Sequence, residues 1–245
     1  MSHPIFDQSL RQLRLDRAAR IDADRFLHDR AFDDCLDRLS HIRRVFPAVL
    51  LIGPAPGLWI AALHDALPGA TVTAKPDPEL AALEPGTFDL CFSIGTLETA
   101  DDLASTAFTL RHLLAPGGML LGAVVGGNSL PRLREAMLAA DRSIGTATPR
   151  THPAIDGPSL CALFASVGLV DAVVDVDRVD VRYPSLDRLV ADLRAMGCTN
   201  ILAERSRRPL TRAQAVIARK SFMGGQDMAV ERFELLQFAA SAPLG

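Results

Sequence analysis

The segment Val49-Leu50-Leu51-Ile52-Gly53-Pro54-Ala55-Pro56-Gly57 decides how this chain is read. Four consecutive aliphatic residues make a buried strand, and they run into a glycine-bracketed turn followed by residues 58–66, which are apolar enough for a buried helix. Strand, glycine turn and helix in that order form the unit that receives nucleotide-type ligands at the carboxyl edge of an α/β sheet. Hydropathy alone would flag residues 45–63 as a membrane span. Pro47, Gly53, Pro54, Pro56 and Gly57 interrupt that stretch where lipid would leave backbone groups unpaired, so no membrane span is expected.

Working outward, strands are expected at 71–74, 88–93, 119–125, 173–181 and 232–239, and helices at 102–114 and 159–167. Strands alternating with helices imply a parallel sheet covered on both faces. Ahead of this core, Phe32, Cys35, Leu36, Leu39 and Ile42 recur every three or four residues, predicting an amphipathic helix over 22–44 capped by Asp22. Residues 11–20 are arginine-rich and read as a solvated leader, a lid or a partner-facing arm. After Tyr183, Pro184-Ser185 opens a helix that closes at Gly197, and Thr211 caps another running to about Ser221. The expected organisation is one domain: a helical leader over 1–45, a sheet core over 46–182 and 231–245, and a helical insert over 183–230.

With 49% hydrophobic residues in 245, the chain can bury one substantial core. A formal charge of −3, with 26 basic residues scattered among 29 acids, is too weak a field to hold nucleic acid. Cys35, Cys91, Cys161 and Cys198 are far apart and lack metal-ligand spacing, which fits reduced thiols in a cytoplasmic protein without a metal site.

Three segments, taken together, resemble the class I methyltransferases that use S-adenosylmethionine (SAM). They are Leu50-Leu51-Ile52-Gly53 with Gly57, Gly86-Thr87-Phe88-Asp89-Leu90-Cys91-Phe92-Ser93, and Leu113-Leu114-Ala115-Pro116-Gly117-Gly118-Met119-Leu120. The resemblance implies a Rossmann-like sheet with SAM lying over Gly53, Ala55 and Gly57. It also implies Asp77 on the ribose and Ser93 and Gly95 near the adenine or the transferred methyl.

A narrower resemblance covers most of the chain. Ile5-Phe6-Asp7, Gly126-Gly127-Asn128-Ser129-Leu130, Thr148-Pro149-Arg150, Val181-Arg182-Tyr183, Asp192-Leu193-Arg194-Ala195-Met196-Gly197, Asn200 and Arg232-Phe233-Glu234 look like the methyltransferase-like assembly factors of respiratory complex I. The mitochondrial member of that subgroup is regarded as a protein arginine hydroxylase, and its bacterial relatives are usually labelled SAM-dependent methyltransferases. The implied activity is methyl transfer to a substrate the sequence does not name, a protein among the candidates. The alternative is a hydroxylase-type or non-catalytic assembly factor for complex I, with a degenerate SAM site and a complex I subunit as partner.

This chain departs from the methyltransferase pattern in five respects. Leu51 stands where an acid would place the cationic methionine end, and Ala55 stands at the middle loop glycine. Pro54 and Pro56 each remove a backbone N–H donor. Lys75 precedes Asp77 and would repel a sulfonium in a low-dielectric pocket. Finally, residues 75–87 are too few for the helix and strand that such a sheet normally places there, roughly 25 residues or more, so one βα unit is expected to be reduced.

The remaining candidates carry two readings each. Glu98, just past the strand expected at 88–93, lies where catalytic groups of this fold sit, or is an exposed loop acid. Asn128 follows paired glycines and offers both a donor and an acceptor to a ligand or peptide. Arg150 and Tyr183 could hold a substrate or partner, although Tyr183 before Pro184 could equally anchor a turn. Asp101 and Asp102 read as helix caps, His64 and His112 as structural, and Trp59 as core packing.

Overall fold

The aliphatic run forms β1 (Ala48–Ile52), with Val49, Leu50, Leu51 and Ile52 enclosed. The computed structural model describes residues 4–21, 25–54, 56–75, 80 and 82–244. Past the turn come α3 (Gly57–Ala66) and β2 (Thr71–Lys75), which pairs in parallel with β1 from Ala48–Thr71 to Ile52–Lys75. On the other side of β1 lies β3 (Phe88–Ile94), again parallel, with Leu51 opposite Phe92. The Asp89 carboxylate accepts the Ala48 N–H at 3.0 Å, pinning the start of one strand to its neighbour.

Helix α4 (Leu103–Leu113) starts beneath Asp102, whose carboxylate accepts the Ser105 N–H at 2.9 Å. That is a capping role, as expected for this residue. It leads into β4 (Leu114–Val125), parallel to β3. The register steps from Phe88–Leu114 to Leu90–Met119, so residues 115–118 bulge out at the anticipated Pro-Gly-Gly turn. A Cβ on Gly118 would lie 2.9 Å from the Phe88 carbonyl oxygen, so no larger residue fits that bulge without a shift.

Before the sheet, α1 (Gln8–Arg20) is capped by Asp7, and α2 spans Phe26–Ser40. The expected helix over 22–44 is thus shorter, and Asp22 lies outside the described residues. After β4 come α5 (Pro131–Arg142), α6 (Gly157–Ser166), β5 (Val170–Tyr183), α7 (Leu186–Ala195), α8 (Arg212–Met223) and β6 (Ala229–Ser241). The sheet order is β2-β1-β3-β4-β6-β5, with β6 antiparallel to β4. Helices α7 and α8 therefore lie between the last two strands in sequence. Among the described residues no strand forms between β2 and β3, and β2 takes the sheet edge; the βα unit expected there is reduced.

The chain divides into two compact units. One comprises Phe26–Gly126, Ile155–Asp177 and Leu235–Gly245. On one face of its strands, Leu50, Ile52, Cys91, Leu120, Val124, Leu236 and Phe238 pack with Leu110 of α4 and with Leu160 and Phe164 of α6. Phe164 meets Phe238 edge-on at 5.1 Å. On the opposite face Phe92 meets Phe32 of α2, and Phe32 stacks on Trp59 of α3 at 4.7 Å. The Trp59 indole N–H donates to Asp29 at 2.8 Å, so this aromatic body has its polar tip satisfied.

The other unit comprises Met1–Arg25, Gly127–Ala154 and Arg178–Glu234. Its α5 begins at Leu130, a left-handed residue (φ 57°) without a capping side chain. The fully buried Glu231 supplies the cap instead, accepting the N–H groups of Arg132 at 3.2 Å and Leu133 at 2.8 Å. In the same unit Phe6 bridges to Leu202 and packs with Ile201.

Candidate functional site

The strand order reverses between β1 and β3: the chain passes from β1 outward to β2 and then returns to the far side of β1. In an open α/β sheet, the crevice beyond the carboxyl ends of the strands at such a point is where ligands bind. Gly53 and Gly95 stand at those ends. Gly53 holds φ +135°, and a Cβ there would meet the Ile94 carbonyl oxygen at 2.1 Å. Only glycine permits this approach of backbone to backbone. Gly95 holds φ +69°, and a Cβ there would come within 3.0 Å of Nε2 of the buried His28.

The rest of the turn is sparse. Pro56 precedes α3 at φ −64° without a side-chain cap, and Gly57 opens the helix with nothing within 4 Å of an added Cβ. Leu51 is enclosed in the strand. Ala55 and Asp77 lie outside the described residues. Ser93 is buried and shares a 2.7 Å hydrogen bond with the Thr96 hydroxyl, which holds the bend after β3. Glu98 follows in a short 3-10 turn (Leu97–Thr99) and is half-buried. Gly53, Ser93, Gly95 and Glu98 are thereby brought to one edge of the sheet.

The same edge contains a residue that the sequence reading passed over. Ile94, Ala123 and Gln237 lie on one row across β3, β4 and β6. Gln237 is 1% exposed, and neither its amide nitrogen nor its amide oxygen has a hydrogen-bond partner. A polar residue inside the apolar run Leu235-Leu236-Gln237-Phe238-Ala239-Ala240 is the signal that could have found it.

Asn128, Arg150 and Tyr183 belong to the other unit. Asn128 donates its amide to both carboxylate oxygens of Glu234, each at 3.2 Å. Glu234 also faces Arg178, with Nε at 3.5 Å, while its N–H donates to Ser129 Oγ at 2.9 Å. Glu234 therefore organises the loop that carries Asn128. Arg150 donates to Asp141 from Nε at 2.9 Å and from Nη2 at 2.5 Å. Tyr183 is buried, and its phenol is pushed up by burial and by the Asp192 carboxylate. Neither side chain is presented at the surface as a free donor.

The thiols are quiet. Burial pushes Cys35 up to about 12 and raises Cys91 as well, so neither is a thiolate near neutral pH. Among the described residues, no group of His, Cys, Asp and Glu is arranged to hold a metal ion, and no helix is long and apolar enough to cross a membrane.

Solved structures share this architecture. The Bacillus subtilis YcgJ protein superposes with a TM-score of 0.57 at 10% identity, covering 89% of this chain and all of that one. The Burkholderia thailandensis 1,6-didemethyltoxoflavin-N1-methyltransferase, solved with bound 1,6-didemethyltoxoflavin and S-adenosylhomocysteine, gives a TM-score of 0.51 at 15% identity over 99% of this chain and 93% of its own. The chain has the class I methyltransferase fold. Its curated relatives include the mitochondrial arginine-hydroxylase NDUFAF5 of Mus musculus, 29% identical over 220 residues. That match covers 80% of this methyltransferase-fold chain and 64% of the mouse protein, so the chain spans less than two thirds of that relative. The malonyl-[acyl-carrier protein] O-methyltransferase of Xylella fastidiosa is 33% identical over 117 residues, 48% of this chain and 38% of its own length. No protein-family model matches the chain.

Proposed function

We propose that this chain is a SAM-dependent methyltransferase-family protein whose cofactor lies over the Gly53 turn. The observation that carries the reading is the seat of Gly53 against the Ile94 carbonyl at the reversal of strand order. Glycine at 53 lets the end of β1 pass close against the end of β3, and this shapes the turn at the edge where such a sheet receives a nucleoside ligand. Gly53, Gly57 and Gly95 would supply backbone contacts to SAM, with Ala55, Asp77 and Ser93 beside them. When bound, SAM supplies an already activated methyl group, so the chain's own task is to orient an acceptor and exclude water. The backbone of the turn fits this role. Leu51, enclosed in β1, leaves the sulfonium end without the expected acid.

Calorimetric titration with SAM and with S-adenosylhomocysteine tests the reading. Micromolar binding is expected, and absence of heat at about 1 mM, where binding worth only about 4 kcal/mol would be detected, removes it. Leu51→Asp combined with Lys75→Asp is expected to tighten binding, because both changes place negative charge near a cationic ligand.

A second reading, an assembly factor for respiratory complex I, is favoured by where the subgroup motifs meet. Asp7 N–H donates to the Ile201 carbonyl at 2.8 Å, Asn200 donates to the Pro149 carbonyl at 2.9 Å, and Ile201 N–H donates to His152 Nε2 at 3.1 Å. Segments near residues 6, 150 and 200 thus form one cluster. Under this reading Glu98, Asn128, Arg150 and Tyr183 serve a partner protein directly or by shaping its seat. Deleting the gene should lower complex I abundance or change the mass of its arginine-bearing peptides; unchanged values eliminate this reading. A cytoplasmic location belongs to the proposal and rests on the free thiols.

A further inference from the structure

Among the described residues Gln214 and Gln237 are the buried glutamines, and the chain treats them differently. Gln214, in the first turn of α8, has both ends engaged: its amide oxygen accepts the Thr211 N–H at 3.0 Å, and its amide nitrogen donates to the Ala140 carbonyl at 3.5 Å. Gln237 on β6 is 1% exposed, and neither end of its amide has a partner among the described residues. Native structures seldom leave both ends of a buried amide unmade.

Strand geometry explains why the sheet does not complete this amide. Leu236 and Phe238 pack with α4 and α6, so alternation turns Gln237 to the other face, which carries Phe92, Phe32 and Trp59. Its direct neighbour there is Ala123, flanked by the pairs Leu121–Ala239 and Val125–Leu235. All are apolar, and Ala123 and Ala239 bring only methyl groups toward it.

The place of Gln237 bears on its use. Ile94, whose carbonyl seats Gly53, is the last residue of β3 and lies on the same row as Ala123 and Gln237. Two strand spacings, about 10 Å, separate Ile94 from Gln237. A cofactor over the Gly53 turn takes the ends of β1 and β3, which leaves the β6 end of that row to a second reactant, the methyl acceptor.

We propose that Gln237 is a specificity-determining residue for that acceptor, its amide receiving a group with an N–H and a C=O side by side: a primary carboxamide or the equivalent edge of a lactam ring. The acceptor role rests on the SAM reading above. A carboxylate would leave the Gln237 amide oxygen unpaired, and an ammonium or guanidinium would leave its nitrogen unpaired. An ordinary trans peptide bond points its N–H and C=O in opposite directions and satisfies one end at a time. A donor and an acceptor on one side close both ends together.

Nuclear magnetic resonance of the full chain tests this, with glutamine labelled at the side-chain nitrogen so that Gln8, Gln12, Gln214, Gln226 and Gln237 alone among the glutamine side chains report. Gln237→Met or Gln237→Leu assigns the Gln237 signals by their absence. Acetamide in one arm and 2-pyrrolidinone in the other, each with and without S-adenosylhomocysteine, should shift the Gln237 signals saturably in the millimolar range expected of such small ligands and leave the other glutamines unmoved. The arm with the tighter binding identifies the source. N-methylacetamide, a trans amide, should bind at least about fivefold more weakly. In Gln237→Met, acetamide affinity read from the Ala123 methyl signal should fall at least about tenfold, while S-adenosylhomocysteine affinity by calorimetry stays within about twofold. The titration is run on the unsubstituted chain, so it stays decisive if one variant fails to fold. Gln237 signals silent to every amide, a cross-peak to water that survives saturating acetamide, or a tenfold loss of S-adenosylhomocysteine affinity in Gln237→Met overturns the proposal. S-adenosylhomocysteine binding with silent Gln237 signals overturns this inference alone. Responding Gln237 signals in a chain that binds no S-adenosylhomocysteine remove the methyltransferase reading and, with it, the acceptor role.

Discussion

Asp141 and Arg150 form a two-point ion pair, with Nε to Oδ2 at 2.9 Å and Nη2 to Oδ1 at 2.5 Å, and the Asp141 side chain is only 3% exposed. Thr148 completes the shell through its N–H at 3.1 Å and its hydroxyl at 2.8 Å. These donors, the Arg150 hydrogen bond foremost, hold the Asp141 carboxyl below the usual carboxylate range despite burial. The pair locks the segment after α5 to that helix.

Arg150→Ala should therefore destabilise the chain by on the order of 2–3 kcal/mol, by leaving a buried carboxylate short of donors. The pH dependence follows from the lowered value. The contribution of Asp141 is present above its unfolded value near 3.8 and is lost as pH falls through the lower folded value. Urea titrations of the variant at pH 7 and near pH 3 check this: the deficit should shrink at the lower pH, and an unchanged deficit would mean that packing, not charge, sustains it.

His152 titrates in the opposite neighbourhood. Burial and the Arg14 charge lower it to about 4, so the folded protein holds it neutral while the unfolded chain takes up a proton near 6.5. Between those values the unfolded state binds more protons, so stability rises with pH, by at most about 1.4 kcal/mol per pH unit. His152→Gln keeps an acceptor for the Ile201 N–H and should flatten the dependence between about pH 4 and 6.5. Equal slopes in the two proteins would remove His152 as the source.

Gly53 and Gly57 bracket the same turn but differ in what surrounds them. Gly53→Ala drives a Cβ to 2.1 Å from the Ile94 oxygen at φ +135° and should cost at least about 2 kcal/mol. A Tm lower by about 4–8 °C is the expected readout. Gly57→Ala meets nothing within 4 Å at the first position of α3 and should leave Tm unchanged or raise it. Equal losses at both sites would contradict this account of the turn.

Gln237 carries a desolvated amide without partners on β6. Replacing it by methionine, close in volume, should leave stability unchanged or raise it by up to about 1–2 kcal/mol, because no hydrogen bond is lost. If SAM binding weakens in the same variant, Gln237 serves the ligand edge. A large loss of stability would show that the amide is satisfied after all.

Much of this molecule was determined by local sequence alone. Short, largely apolar runs at residues 49–52, 88–93 and 119–125, bounded by turn residues, are read as buried strands, and Pro, Gly, Asp102, Ser185 and Thr211 mark the turns and caps by chemistry that acts within four residues. The short interval before Phe88 likewise decided that, among the described residues, no strand forms between β2 and β3, since chain length is a local quantity. Tertiary structure alone decided which polar groups find each other. Glu231 caps α5 from about a hundred residues away, Glu234 takes Asn128, Asp141 takes Arg150, and Arg14 donates to Thr199. Hydrogen bonds and charges act through space over a few ångströms, so their pairing depends on packing that no periodicity in the chain encodes.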